Sequence, residues 1–535
     1  MTTIYALHFT SVVNEHQEHR LAGDSLENTL KMDLCATTLT LVAAFLLVYH
    51  FLWKPMKYFE RLGIPHEPWI PILGHIAPPL FRRIFIGDYL HRMYNRFSDA
   101  KYFGFYNFTT PVIVLRDPEL LTSITVKNFD NFTDHRGFVD EELDPLMGKN
   151  LFALRGDHWR EMRKTLSPSF TSSKMKIMFN LIVDCADNFT NHIAKESKGG
   201  KVYNLKKIFG RYATDVIATS SYGIAIDSMK HPNNEFYVFA ENSINMSPVK
   251  SLKLIIGNNF PRLTKLFGIK IMSDEDRRYI TGVVANAVTT RKEQGIYRPD
   301  MIQLMMEARN KDGTELTIDE MTNQAYVFFL AGYDTTSSFL CFTVHEIAAN
   351  PDVQAKLRAE IQEVVRKTGG SLSYDAIKEM TYMDAVLKES GRLYPVVSRL
   401  DRVCVEEFTF PPATPNSKPF TMKPGGIVWF MPFALQRDPK NFPDPLKFDP
   451  NRFLNDDVPQ NIYVPFGIGP RICIAKRFAL MEAKIVLIYL LLRCEIEPCA
   501  QTTLPMRFDK KRFGLIADNG FWLNFKARDE AVISE

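Results

Sequence analysis

The stretch FGIGPRICIA, Phe466 to Ala475, carries one cysteine behind two glycines and ahead of a long apolar helical pattern, KRFALMEAKIVLIYLLL. Cys473 has no partner at Cys-x-x-Cys spacing. A thiolate binds soft metals, and a helix N-terminus favours the negative sulfur through its free N–H groups and the positive end of its dipole. Gly467 and Gly469 allow a tight turn, and Pro470 stiffens it. Arg471 sets a charged fork two residues from the sulfur, suited to a carboxylate. Ala475 keeps the first helical turn slim. A cysteine taken alone is a small buried hydrophobe more often than a ligand; this setting reverses that balance.

A haem accounts for the combination: an axial thiolate on iron, propionates for the arginine, and a flat ring that requires small neighbours. FGIGPRICIA resembles the haem-binding signature of cytochrome P450 enzymes, Phe-x-x-Gly-x-Arg-x-Cys-x-Gly, with Ala475 replacing the last glycine. The resemblance implies haem b, iron protoporphyrin, with Cys473 as axial thiolate and metal ligand and with Phe466 and Arg471 among its binding residues.

Working outward, further segments occur in the order that this family has. KESGRLYP holds Glu389 and Arg392 three residues apart on one helical face, and FDPNRF supplies Arg452, although Asn451 stands where an acid is common. An i, i+3 ion pair is ordinarily a weak surface feature; the resemblance makes these three a structural network behind the haem. FFLAGYDTTSSF, Phe328 to Phe339, interrupts an apolar helix expected over about 321–349. There Ala331 and Gly332 form a small-residue notch, and an acid in an apolar helix is costly without a task. The resemblance gives Asp334 a proton relay and Thr335 a hydrogen bond to dioxygen, as catalytic residues. A mid-helix threonine also commonly bonds back to a carbonyl. GDHWREMRKTLSPSF places Trp159 and Arg163 on one face, and SRLDRVC contributes Arg402; with Arg471 these are the expected propionate partners. His135, where close relatives have arginine, has a charge that depends on pH. Positional candidates for the substrate pocket are Phe138, Phe328, Phe329, Ala331, Val397 and Phe513. The resemblance runs from about residue 60 to the end. LSPSFTSSKMKIM, AGYDTTSSF and ALQRDPKNFPDPLKFDPNRF draw it closest to the animal microsomal clan, similar to its drug- and steroid-metabolising family 3 enzymes.

The chain has 535 residues, no internal repeat and no Gly/Ser-rich linker, so one large domain is expected. Forty phenylalanines suit either a large apolar cavity or an ordinary large core. A net charge of +4 without an arginine-rich arm gives no footprint for nucleic acid. Seven scattered cysteines do not form a disulfide framework and fit a reducing compartment. LCATTLTLVAAFLLVYHFLW, Leu34 to Trp53, lacks charged residues and is long enough to span a bilayer. Lys54, Lys57 and Arg61 follow it, which puts the rest of the chain in the cytosol. The expected plan is a lumenal extension over 1–31, a transmembrane anchor over 32–53, a proline-rich hinge over 54–79 and a haem-thiolate domain over 80–535. The acidic extension does not suit a mitochondrial presequence, and Met32 offers an alternative start. The fold class is α+β, mainly α, with minor sheet, and the last 35 residues suggest a hairpin closed by DNG at Asp518–Gly520. Ser251 to Met272 reads equally as a second membrane contact or as core and loop.

The resemblance implies a monooxygenase of the endoplasmic reticulum membrane, single-pass, inserting one atom of O2 into small hydrophobic xenobiotics, steroids or lipids. No Gly-x-Gly-x-x-Gly follows a strand, so the electrons must come from a partner: by resemblance NADPH–cytochrome P450 reductase, with cytochrome b5 as an optional second donor. Arg160, Lys164, Lys476 and Arg477 form the expected basic dock. The rivals are a haem-thiolate isomerase or dehydratase acting on peroxides, which the intact Asp334–Thr335 pair disfavours, and a non-enzymatic haem ligand carrier or sensor.

Overall fold

The structure is a computed structural model that describes residues 31–137, 139–244, 247–455, 458–512 and 514–528. The extension before residue 31 and two pocket candidates, Phe138 and Phe513, lie outside the described residues. The helices that matter for the site are α1 (Lys31–Val48), α2 (Gly156–Leu166), α3 (Ser172–Glu196), α4 (Leu205–Ile217), α5 (Ile318–Ala349), α6 (Thr381–Leu393) and α7 (Lys476–Arg493).

Helix α1 is apolar and fully exposed, whereas α5, long and apolar enough to pass the same length test, is mostly buried. The first is suited to a bilayer; the second is the central core helix. α5 starts at a capping box in which the Thr317 hydroxyl accepts from the Glu320 N–H and the Glu320 carboxylate accepts from the Thr317 N–H. It ends at Asn350, before Pro351, which biases its predecessor away from helix. Between those ends the helix is unbroken through Phe328–Phe339. The expected interruption is therefore one of chemistry, not of backbone.

Nine strands are present among the described residues: β1 (Tyr102–Asn107), β2 (Thr110–Leu115), β3 (Lys201–Asn204), β4 (Leu400–Val403), β5 (Phe408–Phe410), β6 (Phe420–Met422), β7 (Ile427–Phe430), β8 (Cys494–Pro498) and β9 (Trp522–Ala527). The main sheet has the order β1-β2-β7-β4, with β2 and β7 parallel and the other pairs antiparallel. The second sheet is β3-β9-β8. The Asp518–Gly520 turn exists, with the Gly520 N–H donating to Ala517 O at 2.9 Å, but it leads into β9, which pairs with β3 and β8 instead of with its own neighbour. Sequence pattern found the turn, while long-range pairing chose the partners.

Of the three apolar clusters among the described residues, two flank the site. The larger lies among α3, α4, α5, α6 and α7. The smaller joins Phe59, Tyr102, Tyr106, Val428, Phe430 and Val464 beneath the main sheet. Residues 466–475 run along the seam between them: Ile468 packs on the smaller cluster, and Ile474 and Ala475 on the larger. The loop is thus held from both sides.

Candidate active site

The Cys473 loop is built by its own backbone before any side chain is considered. The Gly467 N–H donates to Val464 O at 3.0 Å, Ile472 N–H to Gly469 O at 3.0 Å, and Cys473 N–H to Phe466 O at 2.9 Å. Gly469 has φ +77°, and a Cβ there would stand 2.0 Å from Thr125 O. Its space is taken by protein backbone, which a side chain could not share. Ala475 is the N-terminal flanking residue of α7, and its N–H reaches the Cys473 sulfur. Burial pushes the Cys473 thiol up, opposed by that N–H, Arg163 and Lys476. A bound cation would favour its thiolate form.

Cys473 keeps accessible surface although protein encloses it. Both hold when that surface faces an internal space. Ala331, in the middle of core helix α5, is likewise exposed. Thr335, one turn further along the same face, is half-buried, and its Oγ1 donates to Ala331 O at 2.6 Å. The hydroxyl proton is thus occupied while its lone pairs remain open. Gly332 serves another face: a Cβ there would meet Ile217 of α4 at 2.9 Å. The small-residue notch is therefore divided between Ala331, which keeps accessible surface, and Gly332, which seats a helix.

Asp334 also points elsewhere. Its carboxylate pairs with Lys206 of α4 at 2.8 Å, and Lys206 is held in addition by Ser337 Oγ at 2.8 Å and Ser338 Oγ at 2.7 Å. Lys206, Ser337 and Ser338 escaped sequence reading because a lysine 128 positions away carries no local signal.

Behind the cysteine, Arg392 and Glu389 form a bidentate pair, Nε–Oε2 2.7 Å and Nη2–Oε1 2.8 Å, both 0% exposed. Arg392 also donates to the carbonyls of Gln436, Pro445 and Lys447. Arg452 approaches Glu389 Oε1 at 3.5 Å, and the Asp449 N–H donates to the same oxygen at 2.8 Å. Gln436 completes the assembly: its amide donates to Gly391 O and Arg392 O and accepts from the Val464 N–H at 2.8 Å. It couples the ion pair to the residues just before Phe466. The stretch ALQRDP contained this glutamine, but nothing local distinguished it.

On the remaining side, Trp159 is 4% exposed and stacks under Arg471, whose Cζ lies 4.0 Å over the indole. The Arg471 Nε donates to Thr133 O at 2.9 Å and its Nη2 to Leu154 O at 2.8 Å, whereas Nη1 has only long contacts to Leu151 O and Phe152 O at 3.5 and 3.3 Å. Arg402 is 1% exposed; its Nη1 donates to Asp401 O, and its Nε has no partner. Burial lowers its pKa to about 10. Burial also lowers Arg163, which Cys473 opposes. His135 is buried, stacked on Phe152 with ring centroids 4.6 Å apart, and bonded to Asp401 at 3.1 Å; burial holds its pKa down. It is a neutral partner of a carboxylate instead of a replacement cation.

Among the pocket candidates, Phe328 packs edge-on against Phe170, Val397 is exposed, and Phe329 is fully buried among Phe236, Phe239 and Tyr326. Phe329 belongs to the core.

These residues fit a haem. Among the described residues no three His, Cys, Asp or Glu side chains cluster to hold a bare ion, so a metal at Cys473 needs its other ligands from a macrocycle. The underused guanidiniums of Arg402 and Arg471 match a group that brings carboxylates. The family model for Cytochrome P450 matches residues 65–524. Cytochrome P450 9e2 of Blattella germanica is 40% identical over 507 residues, 88% of this chain and 94% of that protein. Cytochrome P450 9b2 of Drosophila melanogaster is 34% identical over 506 residues, 93% and 100% of the two chains. Cytochrome P450 6j1 of Blattella germanica is 34% identical over 493 residues, 91% and 97% of the two. These relatives carry the family numbers 9 and 6, which supports animal microsomal kinship without singling out family 3. The match spans the sheet, the central helix and the cysteine loop together, and the chain belongs to the cytochrome P450 family of haem-thiolate monooxygenases.

Proposed function

We propose that this chain oxidises small hydrophobic substrates, xenobiotics, steroids or lipids, at the endoplasmic reticulum membrane, with its catalytic domain in the cytosol and electrons from NADPH–cytochrome P450 reductase. Bound haem supplies the O2 activation from which one oxygen atom enters the substrate and the other leaves as water. The observation that carries the reading is Cys473, enclosed by protein yet keeping accessible surface on a loop that opens onto α7.

In this reading Cys473 would hold the haem iron through its sulfur, and Trp159, Arg163, Arg402 and Arg471 would hold the propionates, with the loosely held Nη1 of Arg471 and the Nε of Arg402, unpartnered among the described residues, as the available donors. Phe466 closes the loop beside the ring. Glu389, Arg392 and Arg452 fix the shell behind it. Thr335 accepts or passes a proton at Oγ1, and Asp334 exchanges protons with solvent once Lys206 releases it. Phe328, Ala331 and Val397 line the apolar space; Phe138 and Phe513 retain only their positional argument.

Lys164, Lys476 and Arg477 are exposed on α2 and α7, beside the thiolate. They support an acidic redox partner docking there, with cytochrome b5 as a second, whereas Arg160 is engaged by Asp130 and Asp157. Helix α1 supports the anchor over 32–53, the proline-rich segment over 54–79 the hinge, and 80–535 the haem domain. Exposed Leu252, Leu263, Leu266 and Phe267 within Ser251–Met272 support a second bilayer contact.

The deciding experiment is the carbon monoxide difference spectrum of the reduced full-length protein in membranes, followed by turnover with added reductase. A strongly red-shifted Soret band, lost in Cys473→Ala, and product formed only with reductase and NADPH are expected. A band at the ordinary histidine-ligated position, or turnover that ignores the reductase, would refute the proposal.

A further inference from the structure

Beside the propionate-binding residues the protein gathers more positive charge than a haem can use. Among the described residues Arg136, Arg399, Arg402 and Arg471 share the carboxylate of Asp401, Arg471 also faces Asp134, and Arg163 stands beside Arg471 and Cys473. Both acids are already engaged. Asp401 accepts from His135 Nδ1 at 3.1 Å and from the Arg136 N–H at 2.6 Å. Asp134 accepts from the Gly156 N–H at 2.8 Å and stands 3.7 Å from Arg471. His135 is held neutral by burial. Two propionates therefore leave a net cation unbalanced, because the ferric haem-thiolate centre carries no net charge of its own.

The surplus falls on Arg399 and Arg136. Arg399 lies in the segment before β4 and keeps part of its surface accessible. Among the described residues its guanidinium makes no hydrogen bond and no ion pair; its Cζ lies 4.5 Å over the Trp429 ring. Arg136 has a buried Nη1 without a partner, and its Nη2 has only 3.5 Å contacts to Thr110 Oγ1 and Asn259 Oδ1. Enclosed cations without anions are expensive, and a guanidinium fork matches a carboxylate in two-point geometry. Val397, two residues before Arg399, offers exposed apolar surface.

We propose that Arg399, assisted by Arg136, forms an anion site on the wall of the substrate space and takes the carboxylate head of an amphiphilic substrate, a medium- or long-chain fatty acid. The alkyl chain then lies in the apolar space, and oxidation falls on carbons away from the head. The inference rests on the haem-thiolate monooxygenase reading and specifies its substrate class.

The test compares laurate with dodecanol, equal in chain length and different in head, by Soret-shift titration of the full-length holoenzyme in membranes. The acid is expected to bind about tenfold more tightly or better, as for a charge-assisted hydrogen bond in an enclosed site. Arg399→Gln should abolish that preference while leaving the dodecanol constant and the carbon monoxide band unchanged. Arg399→Lys should keep part of the preference, and Arg136→Gln should reduce it less. Equal affinities for the two ligands, or a preference that survives Arg399→Gln, would overturn the proposal. So would loss of haem from both Arg399 variants, because Arg399 would then belong to a propionate. A wild-type preparation without the thiolate band would instead fail the haem reading, independently of the titration.

Discussion

The region behind Cys473 and the wall near Arg399 are both built on buried arginines, and they are finished differently. Arg392 meets a carboxylate at two points and three backbone carbonyls, at no exposure at all. Among the described residues Arg399 lies over an aromatic face and makes no hydrogen bond, with Asp401 acting on it only at longer range. A guanidinium whose donors are all used is a fixed part of the scaffold, since every alternative position forfeits several bonds. One whose donors are idle is waiting for something the chain does not provide. Burial alone does not separate these two arginines; the hydrogen bonds they make do.

The comparison can be broken most severely at the saturated end. Arg392→Met should leave Glu389 buried without its partner and destabilise the fold by about 3–5 kcal/mol. The outcome is protein recovered largely without haem, read as loss of the carbon monoxide band per milligram. If the variant folds and holds haem normally, the network is not what fixes the cysteine loop. A smaller effect is expected one link along. Gln436→Leu removes the acceptor of the Val464 N–H and two donors to α6, costing about 1–3 kcal/mol. Haem should still bind, but the melting temperature should fall, and the thiolate band should convert more readily to its histidine-like position on warming. An unchanged melting curve would separate the ion pair from the loop.

The smallest expected effect concerns a third kind of buried group. His345 is 2% exposed, neither ring nitrogen has a hydrogen-bond partner among the described residues, and burial lowers its pKa to about 4. The unfolded chain binds this proton near the ordinary histidine value, so the stability from a neutral His345 is present above that value and is lost as pH falls toward 4. His345→Phe should therefore flatten the fall in melting temperature between about pH 6.5 and 4 while changing little at pH 8. An acid limb identical to that of the wild type would show that other groups dominate it.

How much was legible beforehand follows from the range of each interaction. The cysteine loop was readable because its determinants, two glycines, an arginine and a helix start, lie within ten residues. The Glu389–Arg392 pair was readable because i, i+3 spacing fixes a shared face. The sequence identified Asp334 and Thr335 as chemically unusual but not which neighbours each would face, because the rotation of α5 is set by what packs on it: Ile217 against Gly332, and Lys206 against Asp334. Phe329 looked like a pocket residue and is core, because two aromatics from a distant helix cover it.

The amino-acid sequence by itself determined the family, the cofactor, the apolar N-terminal helix and the ligand cysteine, all of which rest on local pattern and on chemistry that few residue combinations supply. Only the tertiary structure decided which polar groups find partners. It occupied Arg471 with backbone carbonyls, tied Asp334 to Lys206, recruited Gln436 into the shell and left Arg399, among the described residues, without a hydrogen-bonding partner. Pairing across hundreds of residues depends on where packed helices and strands come to rest, and in a close-packed interior a shift of one side chain's width moves a donor from satisfied to idle.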